Sequence, residues 1–159
     1  MAGIILALDV GTKRIGVAVS DELELLATPR TVIFRRSTQA ALEEIARLAH
    51  SEEATLVVVG LPISLDGQLH DQAHSVQRFA ERLRKMLDVP LVYADEMLST
   101  VRAEERLRAA GVRPNRIRER IDAEAAAVIL DEYLDHRRRE ARQAGRPTAG
   151  REIEEDETR

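Results

Sequence analysis

The chain is expected to fold as an α/β protein around a mixed five-stranded sheet, an antiparallel three-strand meander plus two parallel strands, with helices on both faces. Three observations predict this. Two short runs, IILAL at 4–8 and TLVVVG at 55–60, are almost wholly apolar, as strands covered on both sides are. The first is followed by a polar turn and a strand of period two, which makes a hairpin. Strand and amphipathic helix then alternate, an order that adds parallel strands beside the first by crossovers.

Taken in order, Asp9 ends the first strand, and Gly11 with Thr12, Lys13 and Arg14 forms the turn. Ile15, Val17 and Val19 carry the alternation of the second strand. Pro29 reads as a bend before a third strand over 31–34. Ala41, Leu42, Ile45, Ala46 and Ala49 recur at helical spacing, which predicts a helix over 38–50. After the strand at 55–60 comes a loop, residues 61–67, whose Asp66-Gly67 pair signals a turn. Val76, Phe79, Ala80, Leu83, Met86 and Leu87 lie on one stripe of a helix over 71–88. Residues 90–94 form the next strand, which runs into Asp95-Glu96. Ser99 or Thr100 caps a following helix and Gly111 ends it. Pro114 and Asn115 read as a break, and a last helix is expected over 121–139. Residues 1–139 are thus one domain, and 140–159 a charged, flexible tail.

Composition narrows the function classes. At 159 residues the length suits one domain. The absence of cysteine excludes a disulfide framework and a thiolate metal site. No stretch approaches the roughly 20 apolar residues that span a bilayer, so a soluble, cytoplasmic protein with no membrane partner is expected. The formal net charge is −4, yet residues 102–120 hold seven Arg against three Glu. A basic stretch in an acidic chain suits local contact with phosphates, although a solvated helix face of mixed charge has the same composition.

Three carboxylates stand out. Asp9 ends a strand with no polar face, where an ionised group needs a partner, although Asp also commonly caps a turn. Glu96 lies just past the last strand, on the side of an open sheet where sites gather. Asp122 shares a helix face with Ala126, Ile129 and Tyr133, which points it at the core, and the small residues Ala123, Ala125, Ala126 and Ala127 allow close approach to the sheet. Capping of its own helix is the other reading of Asp122. Three converging carboxylates repel one another unless a cation offsets them, and an all-oxygen set selects Mg²⁺ or Mn²⁺. A two-ion site of that kind hydrolyses phosphodiesters. His70 and His74 are spaced four apart without the Glu of a zinc-protease motif, and read as a polar surface pair.

The segments ALDVGTKRIGVAVSD, VVVGLPISLDG, ADEMLST and IDAEAAAVIL occur in an order and spacing that resemble the YqgF (RuvX) family of RNase H-like nucleases, described both as Holliday junction resolvases and as pre-16S rRNA nucleases. The resemblance covers about residues 3–135. It implies an RNase H-like fold, with Asp9, Glu96 and Asp122 as catalytic, metal-binding acids and Asp9 bridging two ions. It also implies Thr12 and Lys13 beside substrate phosphates, and Asp66 and Gly67 in a loop that shapes the site. One position departs: Met97 follows Asp95-Glu96 where the family pattern has Arg. Arg102, Arg106, Arg118 or Arg120 is expected to supply the phosphate contact instead.

The expected activity is therefore metal-dependent endonucleolytic cleavage, foremost in 5′-end processing of precursor 16S rRNA. Resolution of four-way DNA in recombination is the alternative, and a catalytically silent adaptor a more distant one. The partner is structured RNA or branched DNA, and the protein a monomer or homodimer.

Overall fold

A computed structural model describes residues 3–63, 70–96 and 99–145. The strands are β1 (Ile4–Val10), β2 (Arg14–Ser20), β3 (Ala27–Phe34), β4 (Ala54–Pro62) and β5 (Leu91–Glu96), and the helices α1 (Thr38–Ser51), α2 (Asp71–Arg84), α3 (Ser99–Ala109) and α4 (Pro114–Ala144). The sheet order is β3-β2-β1-β4-β5. β1, β2 and β3 pair antiparallel, whereas β4 lies parallel to β1 and β5 parallel to β4. The expected meander and the two added parallel strands are both present.

Period two divides β1 between two cores. Leu6, Leu8 and Val10 join Ile15, Val17 and Ile33 against Leu42 and Ile45 of α1 and Phe79 and Leu83 of α2. Ile5 and Ala7, with Ala18 and Val58, face Ala126, Ile129, Leu130 and Leu134 of α4. α3 rests on α4 through the small side chains of Ala103 and Ala125 with Val128. Helix ends follow local chemistry. Ser37 Oγ accepts the Ala40 N–H at 3.0 Å at the start of α1, and Gly111, at φ 79°, ends the turn after α3 in a conformation that favours glycine.

Several boundaries differ from expectation, among them the end of β4, which runs to Pro62 where the loop is expected to have begun. α4 begins at Pro114 rather than Ile121 and runs 31 residues to Ala144, past the expected end at Arg139. Proline at the first helical position gives up only an N–H that has no helical partner there, so Pro114 starts the helix instead of breaking the chain. Pro29 lies inside β3, not in a bend before it. β3 is an edge strand, and Arg30 is the extra residue of a bulge between the pairs Val17–Thr31 and Ala18–Pro29. α2 ends at Arg84, short of 88. Asp66, Gly67, Met97 and the tail beyond Gly145 lie outside the described residues. Among those described, no helix is long and apolar enough to cross a membrane.

Candidate active site

Strand alternation puts the first two acids on one face. Asp9 continues the series Ile5, Ala7, and Glu96 continues Val92, Ala94; all four earlier residues pack on the α4 side of the sheet. Parallel pairing of β1 with β4 and of β4 with β5 brings their C-terminal ends to the same rim, with Glu96 opposite Pro62. Asp9 stands opposite Gly16 of β2.

Gly16 brings in the third acid. A Cβ on Gly16 would lie 1.8 Å from the carbonyl oxygen of Asp122 and 2.3 Å from its carbonyl carbon, so the backbone of α4 rests on the bare glycine. Asp122 is more than two turns inside α4 and does not cap it. The capping alternative for Asp122 is thereby removed, and a partly buried carboxylate in mid-helix has another use. Gly60 helps on the next strand, where a Cβ would come 2.5 Å from Ile129 Cδ1.

Asp9 feels both of the other acids. Burial foremost, then the charges of Glu96 and Asp122, push the Asp9 carboxyl from 3.8 up to about 7. Glu96 Oε1 accepts the Ser99 N–H at 2.8 Å, which fixes the carboxylate and opens α3. Asp122 Oδ2 accepts from Arg14 Nε at 2.8 Å. Among the described residues no three His, Asp or Glu side chains are grouped closely enough to hold one ion as they stand. The donor chemistry nevertheless fits a hard divalent cation. All three groups offer carboxylate oxygens, and the mutual repulsion felt at Asp9 is what such a cation relieves.

The basic residues divide into two sets. Arg102 pairs with Glu132, and Arg106 with Asp131 at 2.9 Å and Glu124 at 3.8 Å, so both tie α3 to α4. Arg118 and Arg120 are exposed, Arg118 one turn before Asp122 on the same helix face. Thr12 and Lys13 are exposed at the β1–β2 turn, beside Asp9 in the chain. His70 and His74 are exposed.

Two residues with evident roles here were not among the sequence candidates. Arg14 belongs to the alternating series Arg14, Gly16, Ala18, and that spacing already points it toward α4. Arg35 lies 4.7 Å over the Phe79 ring and donates from Nη1 to Gly11 O at 2.8 Å. Its N–H also reaches Lys13 O, at 2.8 Å. The turn that carries Thr12 and Lys13 is thus held from below. No sequence pattern marks Arg35, because the groups it bonds in the turn are backbone carbonyls.

Sheet order and helix placement define an RNase H-like protein with carboxylates at the C-terminal rim. T. thermophilus RuvC in complex with a Holliday junction substrate shares this fold at TM-score 0.57 and 16% identity, over 86% of this chain and 96% of that one. The chain belongs to the RuvX family, whose model, described as "Holliday junction resolvase", matches residues 3–136. A Chloroflexus aurantiacus protein named "Putative pre-16S rRNA nuclease" is 46% identical over 135 residues, 85% of this chain and 88% of its own length. A Roseiflexus protein of the same name is 42% identical over 136 residues, 86% of this chain and 96% of its own.

Proposed function

We propose that the protein is a cytoplasmic, divalent-metal-dependent endonuclease that trims the 5′ end of precursor 16S rRNA. The observation that carries the nuclease reading is the mid-helix Asp122, laid on Gly16 directly across from Asp9 and within electrostatic reach of it. The relatives named above favour rRNA as the substrate.

Asp9, Glu96 and Asp122 would hold Mg²⁺ or Mn²⁺, which when bound activates water and stabilises the leaving oxygen of a phosphodiester. The chain supplies the framework around that chemistry. Asp9 sits on a strand covered on both faces, so its carboxylate has little room to wander. Glu96 is fixed by the Ser99 N–H. The Arg35 bonds steady the turn that presents Thr12 and Lys13 to the substrate backbone. Arg118 and Arg120 extend the cationic surface along α4, where phosphate contacts add affinity without reading sequence.

The test is cleavage of a labelled 5′-extended rRNA precursor and a labelled four-way DNA junction, with Mg²⁺ or Mn²⁺, by wild type and Asp122→Asn. Metal-dependent cutting of the precursor, reduced roughly a hundredfold or more in the variant, is expected. A folded variant that cuts as well as wild type removes the three-acid site. Faster cutting of the junction selects the second reading, which the description of the matching family favours; that reaction requires two cuts related by a twofold axis and hence a dimer. Changing both Arg118 and Arg120 to Gln is expected to weaken binding of either substrate and to lower the salt-dependence slope by about two. An unchanged slope places their contacts elsewhere.

A further inference from the structure

We propose that Arg14 competes with a divalent metal for Asp122, and that the guanidinium, once released, contacts a substrate phosphate. The inference rests on the carboxylate reading of the site and deepens it. Arg14 opens β2 on the face that carries Gly16, so the strand aims it at the turn of α4 that holds Asp122. The contact joins residues 108 apart in sequence at 2.8 Å through Nε, and both side chains keep solvent access, 48% for Arg14 and 24% for Asp122.

A guanidinium stays charged throughout the accessible pH range, and a divalent cation drawing on the same carboxylate repels it, so the two compete for Asp122. While Arg14 holds Oδ2, its charge offsets that of Asp122 from the β2 side, and among the described residues the three acids do not form one ligand set. A metal that recruits Asp122 therefore weakens the hold of the guanidinium and favours its release. Arg14 follows the exposed Thr12 and Lys13 directly, on the rim that phosphates must approach, and its planar donor fork suits a phosphate as well as a carboxylate. The ion pair thus keeps the acids compatible before metal arrives, and the same side chain serves the substrate afterwards.

The experiment compares wild type, Arg14→Gln and Arg14→Lys, with Asp122→Asn as reference, by calorimetric titration with Mn²⁺ alone and by cleavage of the labelled rRNA precursor at saturating Mn²⁺. Arg14→Gln is expected to bind Mn²⁺ roughly fivefold tighter, because a competing charge is gone, yet to cut more slowly. Arg14→Lys should bind Mn²⁺ about as wild type does. A merely structural role for Arg14 would leave affinity unchanged or weaken it, and either result with a metal-binding wild type overturns this proposal while the acid site stands. If Arg14→Gln binds more tightly but cuts at the wild-type rate, the phosphate contact is refuted. Failure of wild type to bind Mn²⁺ overturns the acid site and this proposal together.

Discussion

Asp9→Asn is expected to abolish cleavage, by at least about a thousandfold, and at the same time to make the metal-free protein more stable at pH 8. Both effects come from one carboxyl whose pKa is raised to about 7 by burial, Glu96 and Asp122. Between its ordinary value of 3.8 and about 7, the folded state binds more protons at this group than the unfolded chain does. Stability therefore falls as pH rises through that window, and above it the full penalty of the ionised group applies. At about 1.4 kcal/mol per pKa unit, the penalty is on the order of 4–5 kcal/mol. Asparagine carries no charge, so its advantage should be largest at pH 8 and should shrink as pH is lowered toward 4. Mn²⁺ reverses the order by offsetting the charge in wild type alone. Thermal unfolding of both proteins across that range, with and without Mn²⁺, measures this; equal stabilities throughout would place Asp9 outside the acid cluster.

Gly16→Ala should be nearly as damaging, although it removes no chemical group. The added methyl would sit 1.8 Å from a backbone oxygen of α4, which no side-chain rotation relieves. Either the helix lifts from the sheet or β2 bends away from β1. The cost is expected to be about 3 kcal/mol, and a shift of about 1 Å at Asp122 is enough to lower cleavage roughly a hundredfold. Gly145→Ala serves as a control, because among the described residues a Cβ there comes no nearer than 3.4 Å to any neighbour, and its effect should stay within about 0.5 kcal/mol. Denaturant unfolding separates the cases. Stability of Gly16→Ala within that same margin would mean that the helix does not rest on this residue.

Much of this arrangement was legible in the chain because period two and period 3.6 carry through to the faces of the sheet. The apolar run before Asp9 predicted a covered strand, and Asp122 lay on a stripe shared with Ala126 and Ile129, both of which pack on the sheet. The misreadings occurred where a residue permits two structures. Pro114 reads as a stop although proline also starts helices, and Pro29 as a bend although an edge strand accommodates it. The basic stretch could not be divided from composition alone. Arg102 and Arg106 meet acids on α4, Glu132 and Asp131, that lie two dozen or more residues further along. Arg14 reads as a turn residue in the sequence, since its partner is 108 residues away.

α4 does more than deliver one carboxylate. Beyond the sheet core, Arg137 pairs with Glu24 at 3.2 Å, and Arg138 Nη2 donates to Leu25 O at 3.2 Å, both in the turn between β2 and β3 at the opposite rim. One helix is thus pinned at both ends of the sheet, with Asp122 and Arg137 about 22 Å apart along its axis. Insertion or deletion of a single residue between them would rotate one anchor about 100° relative to the other. Length variation is consequently forbidden along this span except by nearly whole turns, and the spacing from the acid to the far anchor is as much a part of the site as the acid itself.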